Sequence, residues 1–247
     1  MPSTSETGHA KNVANLEDLI SFCNGYGVTY NPSKAALKIA ALQILFTSAQ
    51  NTINTVKSTQ TAFNNATNKR IEAFKILKSL ATKIINALDA TDAAAQTVKD
   101  AKTINRKIQG QRASTPKTTP PPTDGSTPPP DKTISTSQQS YDQLIEHFSK
   151  LIELLTSDSN YKPNEAELTV AATQTKLAEL KSANTAVVNS YTAWSNSRIE
   201  RNNILYNPLT GLVPTSLDVK KYVKSISGAT SPQFKQVSGL EFKTRKD

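Results

Sequence analysis

The residues that could do chemistry in this chain are few and far apart. There are two histidines, His9 and His147, and one cysteine, Cys23. Zinc needs several such ligands at close spacing, so these three do not form a set. The eight glycines never cluster as GxGxxG or GxxxxGK[ST], so no phosphate-cradling loop is written. There is no G-x-S-x-G elbow. Carboxylates are sparse in the first half, which disfavours a di-iron bundle. The expectation is a protein that is not an enzyme and needs no cofactor or metal.

Three features stand apart from this background. Phe63 and Trp194 lie in matching phrases, "TAFNN" (61–65) and "TAWSN" (192–196). At helical spacing an aromatic residue is either core or, when exposed, a binding anchor. Arg70 and Arg201 match each other in the same way, at positions where an apolar side chain would pack better. Such an arginine either lays its stem on the surface with its head in water, or makes an ion pair that fixes register, with Glu72 and Glu200 as nearby partners. Val56 and Val187 complete the set of core or interface candidates. The third feature is a pair of basic ends, "NRKIQGQR" (105–112) and "GLEFKTRKD" (239–247). These read as solvated termini compatible with a helix dipole, or as contacts for phosphate. Neither interleaves several aromatics with its charges, as single-strand binding platforms do.

The matches belong to a longer repeat. "YNPSKAALKIAALQ" (30–43) and "YKPNEAELTVAATQ" (161–174) agree at seven of fourteen positions, 131 residues apart. Val56/Val187, Phe63/Trp194 and Arg70/Arg201 keep that offset. The second copy then inserts "LYNPLTGLVPTS" (205–216), whose Asn-Pro and Gly demand a turn. Between the copies lies "ASTPKTTPPPTDGSTPPPDKTISTS" (113–137), which holds seven of the thirteen prolines. Consecutive prolines forbid helix and favour an extended tether, or less favourably a ligand for a proline-binding module. At ~3.1 Å per residue such a segment spans up to about 80 Å.

Elements can be assigned around these landmarks. From 33 to 109 there is neither Gly nor Pro. A spacing of three or four runs from Leu42 through Val56, Gln60, Phe63, Thr67, Arg70 and Phe74 to Leu88, mostly apolar, a heptad-like stripe that argues for coiled-coil-like antiparallel packing. The second copy shows the same stripe from Leu177 through Val187 and Trp194 to Leu205. Pro32 and Pro163 suit the first position of the long helix, with Asn31 as N-cap and Asn164/Glu167 as a capping box. Each long helix is expected to run about 42 residues, about 63 Å. The turn written in the second copy implies one near 76–80 in the first, where no breaker is visible. Return helices follow at about 80–90 and 215–227. Third segments follow these: a longer helix within 92–110 and a short one in "SPQFKQVSG" (231–239). Amphipathic segments precede each Tyr-x-Pro.

The fold class read from this is all-α: two homologous, duplicated helical-bundle domains, each with one long helix, joined by a Pro/Thr-rich linker. The expected boundaries are a disordered start at 1–12, repeat 1 at 13–112, the linker at 113–137 and repeat 2 at 138–247. Composition allows this: hydrophobic residues make up 36% and mean hydropathy is −0.45. Net charge is +9, spread as +6 over 1–110, +1 over 111–137 and +2 over 138–247. That excess is mild and dispersed. No run reaches the roughly 18 apolar residues of a membrane span. The start carries no Sec-type signal, so the cytoplasm is the default expectation, with secretion by another route left open.

The leading functional expectation is a non-enzymatic structural or interaction protein presenting two similar modules to a protein partner or to further copies of itself. A second is a basic helical protein that binds a polyanion such as nucleic acid, betrayed by steep salt dependence. A third is a secreted, membrane-active helical protein, with "ALKIAALQILF" (36–46) as the segment that would meet lipid.

Overall fold

The computed structural model describes residues 8–111 and 139–244. The proline-rich 113–137 segment therefore lies outside the described residues. Among those described, all regular structure is helical, with no strand. The α-helices are α1 His9–Gly25, α2 Ile39–Lys75, α3 Leu77–Asp89, α4 Ala95–Gln109, α5 Tyr141–Ser157, α6 Val170–Tyr206, α7 Leu212–Ser227 and α8 Pro232–Ser238. α1 begins at His9, earlier than the start expected near residue 13.

The look-alike segments take the same local structure. Tyr30 donates its hydroxyl to the Leu37 carbonyl at 2.7 Å, and Tyr161 donates to the Leu168 carbonyl at 2.8 Å. Each tyrosine is buried, and each spans a three-residue 3-10 turn, Ala35–Leu37 or Ala166–Leu168. This corrects the expected helix start. Asn31, Pro32, Pro163 and Asn164 do not open the long helices, which begin at Ile39 and Val170. The tyrosine occupies a carbonyl that a helix would use, and Lys38 and Thr169 are extended, with ψ of 145° and 151°. In the second copy Thr169 is the true cap, its hydroxyl accepting from the Ala172 amide at 3.2 Å. Both long helices are 37 residues, shorter than the 42 expected for this reason.

The turn inferred for the first copy falls at Ile76, the single residue between α2 and α3. No glycine or proline causes it. Ala73, Phe74, Leu77 and Leu80 are all buried around it, so burial on both sides of the bend replaces a sequence breaker. In the second copy the turn is written explicitly. Asn207 accepts from the Leu209 and Thr210 amides, and its carbonyl takes the Gly211 amide at 2.9 Å. α8 has the expected form: Ser231 caps it by accepting from Phe234, and Pro232 opens it. α4 ends on Gly110 in the left-handed region at φ 76°, a conformation that glycine adopts without strain.

Contacts divide the chain into two compact units, one comprising Met1–Asn64 and Asn189–Asp247, the other Asn65–Val188. Neither coincides with a half of the sequence repeat. In the first unit, α1 from the first half packs on α7 and α8 from the second. Its core is built from Leu16, Leu19, Leu42, Leu205, Leu212, Val219 and Val237. In the second unit, α5 from the second half packs on α4 from the first, and α4 on α3. Its core holds Leu77, Ile84, Leu88, Ile108, Phe148, Leu151 and Leu180. Full burial of one such side chain stabilises by about 1.5–3 kcal/mol.

Candidate interaction sites

α2 carries its apolar stripe inward as the spacing predicts, but the two ends are covered far better than the middle. Leu42, Ala49 and Phe74 are buried, whereas over 50–72 no residue is buried. Within the first unit α2 and α6 run antiparallel: Thr59 meets Ser197, hydroxyl to hydroxyl at 2.9 Å, and Phe63 meets Trp194. The two matching aromatics of the repeat thus lie against each other, stacked at 5.4 Å and 19° between planes.

Tyr191 completes this cluster, tilted against Phe63 at 5.6 Å and edge-on to Trp194 at 6.2 Å. The Arg198 guanidinium lies 5.4 Å from the Trp194 ring centre. Phe63 and Trp194 are half-buried and Val56 likewise, while Tyr191 keeps 52% of its surface exposed. The Trp194 indole N–H is buried without a hydrogen-bond partner. Tyr191, three residues before Trp194, shares its helical stripe, and that spacing is the only mark of it in the sequence.

The two arginines have different surroundings. Arg70, in the second unit, donates to the Asn184 side-chain oxygen at 3.0 Å and sits 4.0 Å above the Tyr141 ring. Asn184 in turn donates to Asp142 at 2.8 Å. Glu72 is not its partner; that carboxylate pairs with Lys75 at 3.4 Å. The arginine is therefore held by an amide and a ring rather than by an ion pair. Its Nε is buried without a partner. Arg201, in the first unit, is buried and donates through Nε and Nη2 to Asn202 at 3.1 and 2.8 Å. Val187 is buried in the second unit.

The two histidines fall in different units. His9 Nδ1 lies 2.6 Å from the Tyr206 hydroxyl in the first unit. His147 belongs to the second unit, its Nε2 buried and unpartnered, and burial first, then Lys107 and Lys150, hold its pKa below the ordinary value. Burial pushes the Cys23 thiol up to about 12, opposed by a hydrogen bond with Tyr30. Among the described residues, no three His, Cys, Asp or Glu side chains gather as a metal-ligand set. A groove of about 510 Å³ in the second unit is lined by Lys83, Lys162, Glu165 and Glu167, charges of both signs, and Lys83 bridges to Glu167 at 2.8 Å.

The two basic ends differ from each other. Arg106 and Lys107 lie in the last turn of α4, where cations suit the helix dipole. The segment after α8 is pinned by its backbone to α1 and α7 through Asn12, Asn15 and Lys220. No helix among the described residues is long and apolar enough to cross a membrane. No protein-family model matches the chain, and comparison with the curated proteins and with the solved structures finds no significant similarity.

Proposed function

We propose that the chain is a non-enzymatic structural or interaction protein that presents two similar helical modules and self-associates into a larger oligomer. In this reading the chain is a duplication whose two homologous halves are joined by the Pro/Thr-rich segment and exchange their ends. Its support is the seven-in-fourteen match of 30–43 with 161–174, their common tyrosine-to-carbonyl bond, and two long helices of equal length.

The observation that carries self-association is the half-covered stripe. Ile53, Val56 and Phe63 face inward on α2, yet nothing over 50–72 is buried. On α6, Tyr191 and Ile199 stay 52% and 66% exposed. Apolar and aromatic surface left in this state is stabilised by whatever covers it. A duplicated chain offers the same kind of surface twice, and repeated contacts between copies build rings or filaments.

Light scattering on a sizing column, run as a concentration series at low and moderate salt, tests this. The expected result is a mass at a multiple of 26.8 kDa that grows with concentration and persists in salt. A monomer at every concentration overturns it. Phe63→Ser with Tyr191→Ser is expected to reduce the assembled fraction while circular dichroism retains the helical signal.

A further inference from the structure

The segment following α8 is held by hydrogen bonds that read its main chain. Asn12, 3% exposed, donates to the Lys243 carbonyl at 2.8 Å and accepts from the Lys243 amide at 3.1 Å. Asn15, also 3% exposed, donates to the Glu241 carbonyl at 2.7 Å. Both asparagines come from α1. From the other side, Lys220 of α7 donates to the Ser238 and Leu240 carbonyls at 2.9 and 2.8 Å. Ser238 closes α8; beyond it the Glu241 and Lys243 peptide groups turn to α1 and the Leu240 carbonyl turns to α7. Such alternation is how a main chain is read along both edges.

The side chains follow the same alternation. Leu240 is buried in the core of the first unit and Phe242 packs against it. Glu241 and Lys243 point outward and pair with each other at 2.7 Å. Two buried side-chain amides would each cost free energy if left unbonded, so the groove requires an occupant. The pair of asparagines is not repeated in α5. When α1 and α5 are aligned by their buried faces, Leu144 and His147 stand where Asn12 and Asn15 stand.

We propose that Asn12, Asn15 and Lys220 form a peptide-binding groove whose ligand is an extended segment with apolar residues at alternate positions, filled here by the chain's own 240–243, and that in trans it accepts the same segment from a second copy. The hydrogen bonds are all to backbone, with a weaker attraction between Lys220 and the Glu241 carboxylate beside them, so a second copy's segment satisfies them as well as the chain's own. A Cβ added at Gly239, the joint between α8 and the strap, would have nothing within 4 Å, so no packing on that side locks the joint. Exchange of an identical element is a low-cost route to association. This deepens the self-association reading and rests on it.

The test uses the full-length chain carrying Leu240→Ser and Phe242→Ser, which weakens the strap in cis. A fluorescent synthetic peptide of residues 239–247 is titrated in and followed by anisotropy. Saturable binding is expected. It should weaken at least about tenfold when Asn12→Ala and Asn15→Ala are added, since three hydrogen bonds are lost. It should survive Glu241→Ser and Lys243→Ser in the peptide. No binding to a chain that still melts cooperatively, or binding indifferent to the asparagines, overturns the proposal. If the double serine variant does not fold, hydrogen exchange on the unaltered chain decides. Slow exchange at the Lys243 amide that Asn12→Ala abolishes supports the groove, and exchange as fast as a free peptide overturns it. Scattering on Asn12→Ala/Asn15→Ala separates the two claims: unchanged oligomers leave the self-association reading standing and sink the strap exchange, whereas an unaltered chain that is monomeric throughout sinks both.

Discussion

At the scale of single residues, two tyrosines and one histidine carry sharp consequences. Tyr30 and Tyr161 each span a 3-10 turn with one buried hydroxyl-to-carbonyl bond. Burial is the first cause that raises the pKa of both, to about 12 for Tyr161. Tyr30→Phe and Tyr161→Phe each leave a carbonyl unbonded and should each cost about 1 kcal/mol in urea unfolding. If the two sites are equivalent, the two costs agree within about 0.5 kcal/mol; a threefold disparity would count against equivalence. His147 titrates with a definite sign. Its folded pKa is lowered, by burial first and then by Lys107 and Lys150, against a small opposing effect of Glu146. The unfolded chain therefore takes up the proton first. The stability this neutral imidazole contributes is complete above its ordinary value of about 6.5 and is lost as pH falls below that toward the lower folded value. Urea midpoints measured from pH 7.5 down to 5 should drop more steeply for the unaltered chain than for His147→Leu. Parallel profiles would show that His147 does not titrate across that range.

At the scale of elements, the second copy's α6–α7 turn gives the clearest prediction. Gly211 sits where a Cβ would lie 2.6 Å from both the Asn207 nitrogen and its carbonyl oxygen. Those are backbone atoms and cannot swing away, so Gly211→Ala must shift the turn. The expected loss is roughly 1–3 kcal/mol, the range of overpacking, read from thermal or urea unfolding. A neutral outcome would mean that the loop relaxes freely. Such a turn is easy to read from sequence because Asn-Pro and Gly announce it. The matching turn at Ile76 was legible only by analogy, since its cause is burial of Phe74, Leu77 and Leu80 around it rather than any breaker. The stripe from Leu42 to Phe74 was also legible, because helical spacing alone fixes which residues share a face. The long-helix starts were not. A tyrosine hydroxyl seven residues upstream took the carbonyl that the helix would have used, and no local signal encodes that partner choice. Arg70 illustrates the same limit. Its conspicuous position suggested either a head in water or an ion pair with Glu72, but the partner is Asn184, 114 positions away.

At the scale of the whole molecule, the halves written in the sequence and the units formed in space divide the chain differently. A repeat identifies like segments and says nothing about which copy each segment packs against. Here α1 lies with α7 and α8, and α5 lies with α4, so each compact unit needs helices from both halves. Consider residues 1–112 and 138–247 made as separate chains. The first retains α1 without the α7 and α8 that cover Leu16, Leu19 and Cys23. The second retains α5 without the α4 whose Val98, Ala101 and Ile108 complete its core. Losing several buried side chains worth about 1.5–3 kcal/mol each exceeds the 5–15 kcal/mol that holds an ordinary domain together. Each half alone should therefore show weak helicity by circular dichroism and no cooperative melt. Equimolar mixing should restore both, with a mid-point that rises with concentration because folding has become bimolecular. Two halves that each melt cooperatively, and gain nothing on mixing, would show instead that each repeat closes on itself when the other is absent.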